Sequence, residues 1–436
     1  MRTRTVRPAV PMAAALVVAL GLAAPAVTAG SIERATPEEV GMSAERLRRV
    51  HEAMQRHIDE GNISGGVTAA TRRGRLVHLE AHGLMDLESN KAVTTDAIFK
   101  IMSMTKPVVG VAVLMLMEEG KLRLSDPVSR FIPELADLKV AVALPQGRGR
   151  GRGAGPAAGG GRGGRGEPPP FYTIPAERPI TIQDLLTHTS GLASGTISNS
   201  EAGRLAPQGP TATLADVVPK LGAVPLEFQP GERWAYSAQR GFDTLLHIVE
   251  IVSGQPADRF LSDRIFEPLG MKDTFFWAPD THRSRVVTLY QRTPEGLTRS
   301  ENQTGVTSET YFSGGGGLMS TAEDYLQFGQ MLLNGGELDG ARLLAPRTVE
   351  LMASTVVSEF GGPDSGRTFG LSVQIVGDPV AAGYRVGRGS FGWDGAYGTH
   401  VWVDPTEEMV GLVMIQTPNF QISRDVENAL MQAIVD

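Results

Sequence analysis

The chain has 436 residues, 20% of them charged and 41% hydrophobic, with 52 Gly, 28 Pro and no Cys. This is ordinary globular composition, which excludes wholesale disorder, collagen and coiled coil, and the missing cysteine excludes disulfides, thiolate zinc sites, iron–sulfur clusters and cysteine nucleophiles. A formal charge of −7 and a pI near 5.7 argue against nucleic acid as a partner.

Residues 1–29 read as a signal peptide. Arg2, Arg4 and Arg7 form a positive start, Ala13 to Ala24 an apolar run, and Val27-Thr28-Ala29 a small-residue cleavage site. The run is too short and too Ala-rich for a stable membrane anchor. No Arg pair precedes it, which argues against a twin-arginine signal, and no Cys is present to carry a lipid. The expectation is an exported chain, periplasmic or secreted, folded as one domain over residues 30–436.

Leu47, Val50, Met54 and Ile58 recur at helical spacing behind a Ser43 cap, and Gly61 stops the run. Val67 to Thr71 and Leu76 to Leu79 flank Arg73-Gly74 as a hairpin. Ser103 to Glu119 reads as a helix that is apolar on most sides, hence central and buried. Residues 147–166 hold eleven Gly and five Arg. They have nothing to bury and read as a surface loop insertion; the glycine spacings there lack the strand and helix of a dinucleotide site. Thr181 to Leu186, Gln239 to Val252 and Thr321 to Leu333 read as helices. Leu371 to Val376, Thr399 to Val403 and Met409 to Gln416 read as strands, with Asp404 to Glu408 as the turn between the last two. A final amphipathic helix carries Val426, Leu430 and Ile434.

This order predicts an α/β (α+β) fold. An antiparallel sheet flanked by helices is built from about residues 30–100 and 330–436, and a mainly helical part, about 101–329, is inserted between.

Three motifs carry candidate chemistry. Ser103-Met104-Thr105-Lys106 is an S-x-x-K, which places hydroxyl and amine on one helix face. Pro107 is tolerated only in a first turn, so the helix must begin at about Ser103, at the positive end of its dipole. Burial favours the uncharged form of a lysine, which can then accept a proton from a serine. The S-x-x-K pattern alone is a weak signal. Tyr236-Ser237-Ala238 offers a phenol that could serve as general base beside a cation, or a Tyr that merely packs. Gly392 to Gly398, just before a strand, contains Trp393, Asp394, Gly395 and Ala396. Its glycines allow close backbone approach, and a backbone N–H there could complete an oxyanion hole with that of Ser103; a plain Gly-rich turn is the other reading.

Together these motifs resemble the serine β-lactamase and penicillin-binding-protein superfamily, most closely its class C β-lactamase-related (family VIII-type) esterase branch. Gly120-Lys121-Leu122, Leu185 to Leu192, Pro268 to Met271 and Ser313 to Leu318 also resemble segments habitual in that family, so the likeness spans about residues 33 to 433 apart from the Gly/Arg insertion. It implies the β-lactamase/transpeptidase-like fold. It also implies Ser103 as acylated nucleophile, Lys106 and Tyr236 sharing the proton, the N–H groups of Ser103 and Ala396 as oxyanion hole, and Ala238, Trp393, Asp394 and Gly395 against the substrate. No metal or organic cofactor is implied.

Two departures matter. Ala238 stands where the family often has Asn, and Trp393 stands where β-lactamases and peptidases have a cation; Arg385 or Arg388 are candidates to replace it. Esterase-like members carry Trp-Gly-Gly, and Asp394 departs from that as well. The expected substrate is therefore a small-molecule ester, with a β-lactam, D-amino-acid peptide or amide as the alternative. A catalytically inactive binding protein is the alternative of another class.

The remaining residues get plainer readings. His78 and His82, four apart on one strand, share a face at a distance that does not make a zinc pair. His188 is expected to shape a loop near the cleft. Glu232, Asp243 and Asp394 are candidates to support the reactive groups. No G-x-S-x-G is present, which argues against an α/β-hydrolase.

Overall fold

The computed structural model describes residues 30–145, 168–358 and 360–436. The leader and the Gly/Arg stretch lie outside the described residues.

Eight antiparallel strands form one sheet. In chain order they are β1 (Gly65–Arg72), β2 (Arg75–Asp86), β3 (Lys91–Ala92), β4 (Arg367–Phe369), β5 (Gln374–Val376), β6 (Phe391–Asp394), β7 (His400–Asp404) and β8 (Met409–Ile415). Their spatial order is β4-β5-β6-β7-β8-β1-β2-β3. The N-terminal hairpin thus pairs with the last strand of the chain, Val67 opposite Met414. Arg73 and Gly74, both at positive φ, make the two-residue turn between β1 and β2.

Both faces of the central strands are buried. On β8, Val410, Leu412 and Met414 belong to one apolar cluster, while Met409, Val413 and Ile415 belong to the other. This period of two is what a strand covered on both sides requires. The second cluster is closed by α1 (Ala44–Asp59), capped by Ser43 Oγ accepting from Arg46 N–H, and by the C-terminal helix α5 (Phe420–Met431). Gly411 on that face lies under the indole of Trp402, where a Cβ would collide with the ring. The first cluster is covered by α4 (Ala322–Leu333) and α2 (Thr105–Glu118), with α3 (Arg240–Ser253) packed behind α2.

Helix α2 is buried from Thr105 through Leu116, as its apolar run predicts. Strand ends and helix ends show the differences. The expected strand 371–376 shrinks to β5, because Ser372 takes a φ of +70° and turns the chain; β4 carries the preceding pairing instead. The last helix ends at Met431, and Ile434 leaves it to bridge Met42. Among the described residues no helix is long and apolar enough to cross a membrane.

Candidate active site

The segment expected to open the long helix is first a 3-10 turn, Met102–Met104; α2 proper begins at Thr105. Pro107 is then its third residue, still in the first turn, where its missing N–H costs nothing. Met102 has φ +49°, a left-handed conformation that costs a residue with a Cβ about 1–2 kcal/mol. Three separate elements hold that turn. Ile101 N–H donates to the Leu318 carbonyl at 3.1 Å, Thr399 Oγ1 donates to the Ile101 carbonyl at 3.2 Å, and the hydroxyl of Tyr325 on α4 donates to the Met104 carbonyl at 2.7 Å.

Ser103, Lys106 and Tyr236 meet. The Tyr236 hydroxyl lies 2.6 Å from Ser103 Oγ, and Lys106 Nζ lies 3.2 Å from the same atom. Lys106 has no exposed surface. Its ammonium also donates to the carbonyls of Ala238 at 2.7 Å and Gly315 at 2.6 Å, and it stands 4.9 Å from the Tyr236 ring centroid. All three ammonium donors are thereby used, which is what a buried lysine needs. Ala238, which stands where the family often has Asn, supplies its contact through the backbone carbonyl.

The loop bearing Gly315 is fixed from below. Asp243 on α3 is fully buried and accepts from Tyr311 OH at 2.6 Å, Ser313 Oγ at 2.7 Å and Gly315 N–H at 3.2 Å. Burial raises its pKa, opposed by Arg240 and these donors. A Cβ on Gly314 would collide with the Phe242 carbonyl, and one on Gly315 would stand 2.5 Å from Gln239 Cα. Asp243 therefore supports the site, as expected. Glu232 does not: it stays exposed, accepting from Gln229 N–H and facing Arg233.

His188 is buried at φ +57° behind the tyrosine, ring centroids 4.7 Å apart. Its Nδ1 accepts from Ser237 N–H at 3.2 Å, so the neutral ring carries its proton on Nε2. Burial, and secondarily the charge of Lys106, hold its pKa well below the usual value. The histidine braces the Tyr236 segment from the inside.

The Gly392–Gly398 motif precedes β7, as expected, but its first residues are themselves strand: it straddles the end of β6 and the turn into β7. Strand β5 pairs only as far as Phe391 and Gly392. Among the described residues no strand covers the outer edge of Trp393 and Asp394. Gly395 lets this end of β6 approach the Ser103 turn, since a Cβ there would stand 2.5 Å from the Ile101 carbonyl oxygen. Exposed Ala396 follows directly, at the cleft rim.

Trp393 joins an aromatic wall that the sequence reading missed. Its ring is 5.7 Å from Tyr236, 5.2 Å from Phe369 and 6.0 Å from Phe360; Trp234 is 4.8 Å from Phe360 and 6.1 Å from Tyr236. Asp394 is turned to His400, 2.5 Å from its Nδ1, and Glu427 stands 3.6 Å from the other ring nitrogen. With these carboxylates beside it the His400 pKa rises to about 9 despite burial. Neither arginine replaces the missing cation at Trp393: Arg388 is tethered to the Gly377 carbonyl ahead of the far end of β6, and Arg385 is exposed on the same stretch.

The Ser–Lys–Tyr cluster holds no metal-ligand set. One group elsewhere among the described residues could hold a cation: His51 on α1 with Glu80 and His82 on β2, one ligand atom from each within 4.8 Å. His78 and His82 do share a strand face, and both contact the hydroxyl of Thr68, at 2.8 and 2.9 Å.

The beta-lactamase family model matches residues 49–435. The chain belongs to the beta-lactamase family. This beta-lactamase-family chain is 37% identical over 376 residues to Protein Rv1367c of Mycobacterium tuberculosis, covering 82% of this chain and 87% of that one. It is 27% identical to Esterase EstB of Burkholderia gladioli, covering 94% and 99%. It is 25% identical to a putative D-alanyl-D-alanine carboxypeptidase of Escherichia coli K12, covering 92% and 89%. Among solved structures, EstCE1, described as a hydrolase with promiscuous acyltransferase activity, superposes with a TM-score of 0.71 at 25% identity, covering 89% of this chain and 99% of that one. The expected β-lactamase/transpeptidase-like fold is therefore the observed one, and the protein is a serine hydrolase of that family.

Proposed function

We propose that the protein is a carboxylesterase acting on small acyl esters through an acyl-enzyme on Ser103. The aromatic wall carries this reading: Trp393 stands where a cation would meet the carboxylate of a β-lactam or peptide, amid Trp234, Tyr236, Phe360 and Phe369. Such a wall suits an uncharged acyl or alkoxy group. Losing a charge-assisted contact costs an anionic substrate about 1.5–3 kcal/mol. The likeness to EstB and EstCE1 supports the same reading.

In this mechanism Ser103 Oγ attacks the ester carbonyl and its proton passes to whichever of Tyr236 and Lys106 has first given up its own. The N–H groups of Ser103 and Ala396 receive the oxyanion. The same pair returns a proton to the leaving alcohol, then activates water to release the acid. Ala238, Gly395 and the open edge at Trp393–Asp394 line the substrate's path. We further propose that the chain acts outside the cytoplasm after cleavage at Ala29; N-terminal sequencing of the exported protein should begin at Gly30.

The test is p-nitrophenyl butyrate against a chromogenic cephalosporin and a D-alanyl-D-alanine peptide, with Ser103→Ala as control. The ester should turn over fastest, and only with Ser103 intact. Faster cephalosporin or peptide turnover would assign the protein to the β-lactamase or peptidase alternative. Failure of a fluorophosphonate to label Ser103 would point to an inactive binding protein.

A further inference from the structure

A second cavity opens beside the Ser103 turn and takes no part in the chemistry above. Its walls include Lys100, Trp277, Val286, Val287, Gln303 and Met319. Lys100 is three residues before Ser103, on a short strand paired with Met319. It is 3% exposed. Among the described residues its ammonium has a single long contact, 3.5 Å to the Val287 carbonyl. Compare Lys106, which is as deeply buried and has three acceptors. An ammonium removed from water needs acceptors.

The other groups lining this cavity sharpen the point. The indole nitrogen of Trp277 is buried and has no partner among the described residues. The side-chain amide of Gln303 is spent on the Leu289 backbone and the Ser300 carbonyl. Arg283 and Arg299 stand at the rim, matched by Asp280 and by Asp86 and Glu88. No lining residue is acidic. The unspent groups are thus a buried cation and a neutral donor, on two residues that line a space with Val286, Val287 and Met319 along it. Burial brings the Lys100 pKa down to about 8, so the group is still mainly protonated at neutral pH.

We propose that this cavity binds a small organic monocarboxylate, whose two oxygens are held by Lys100 Nζ and Trp277 Nε1 while its hydrocarbon part lies on the valine and methionine wall. Inorganic phosphate offers matching oxygens but nothing for the apolar wall, and its second charge has no free cation to meet. An alkanoate is also what hydrolysis of an acyl ester releases, yet the binding site stands or falls independently of that reading.

Isothermal titration of the full-length exported protein with hexanoate tests this. Wild type and Ser103→Ala should bind one equivalent with the same affinity. Lys100→Met should weaken binding about tenfold or more, and Trp277→Phe about threefold. Both variants should keep fluorophosphonate labelling of Ser103. Hexanamide, uncharged and of the same shape, should bind wild type at least about tenfold more weakly, as should phosphate. Equal binding of hexanoate to wild type and Lys100→Met, or of hexanamide and hexanoate to wild type, would overturn the proposal. If Lys100→Met does not fold, Trp277→Phe and the hexanamide comparison decide it on the same terms.

Discussion

Lys106 Nζ and the carbonyl oxygen of Gly315 are 2.6 Å apart, although 209 positions separate the two residues in the chain. The carbonyl is held in place because the N–H of the same residue donates to Asp243. A backbone group on a glycine loop therefore sets the position of the Lys106 amine. Replacing Gly315 by Ala forces its new methyl against Gln239 Cα and the Ala238 carbonyl, displacing both carbonyl acceptors of Lys106. A shift of this kind should lower kcat roughly 10²-fold with a much smaller change in KM. Steady-state kinetics on p-nitrophenyl butyrate checks it, with circular dichroism to show the fold is kept.

Asp243 acts one step further back. Asp243→Asn keeps the size but turns an amide donor toward the donors Tyr311, Ser313 and Gly315. The expected result is a kcat roughly 10- to 100-fold lower with KM within about twofold. If the residue served stability alone, the melting temperature would fall and kcat per folded molecule would not.

Trp393 should govern substrate preference rather than the chemical step. Trp393→Ala removes a ring that contacts Tyr236, Phe360 and Phe369. KM for an aryl-acyl ester should rise about 5- to 10-fold, with little change for an acetyl ester. Equal effects on both esters would show that the ring does not contact the acyl group.

Asp324 makes stability depend on pH. Its carboxylate accepts from Asp273 N–H and Thr274 Oγ1, yet burial still raises its pKa to about 7. Between pH 4 and 7 the folded chain therefore holds a proton that the unfolded chain has released, so this group's contribution to stability falls as pH rises through that window. Asp324→Asn keeps the acceptor oxygen and removes the titration. The difference in unfolding free energy between variant and wild type should grow in the variant's favour from pH 4 to 7, on the order of a few kcal/mol. A pH-independent difference from urea unfolding would contradict the assignment.

Gly411→Ala tests the sheet. The added methyl meets the Trp402 indole on the neighbouring strand, and overpacking of this kind typically costs about 1–3 kcal/mol. Thermal unfolding should show the loss, with kcat of the residual folded protein unchanged.

The elements that could be read from the sequence were those whose apolar runs and end signals are local in the chain. Helices α1, α3 and α4 and strands β7 and β8 lie within a residue or so of where apolar spacing and caps put them. Ser103 and Lys106 were legible because three residues on a helix set their geometry locally. What escaped was set by distant backbone. Nothing about Ala238 or Gly315 as residue types announces a carbonyl acceptor, and Phe360, Phe369 and Trp234 become one wall only when β4, β6 and the Tyr236 segment converge. His51 joins His82 for the same reason, through packing of α1 on β2. Ile434 shows the converse: its spacing fits the last helix, but the strand-like contact with Met42 claims it.

The stretch of β6 beyond the reach of β5 has a further meaning. The outer edge of β6 at Trp393 and Asp394 stays open whatever side chains surround it, so an extended amide could lie alongside as readily as an ester. Ester and amide hydrolases on this scaffold then share their backbone recognition and differ in a few side chains around it. A change of substrate class in this chain is a matter of recolouring the wall at Trp393, with the frame left untouched.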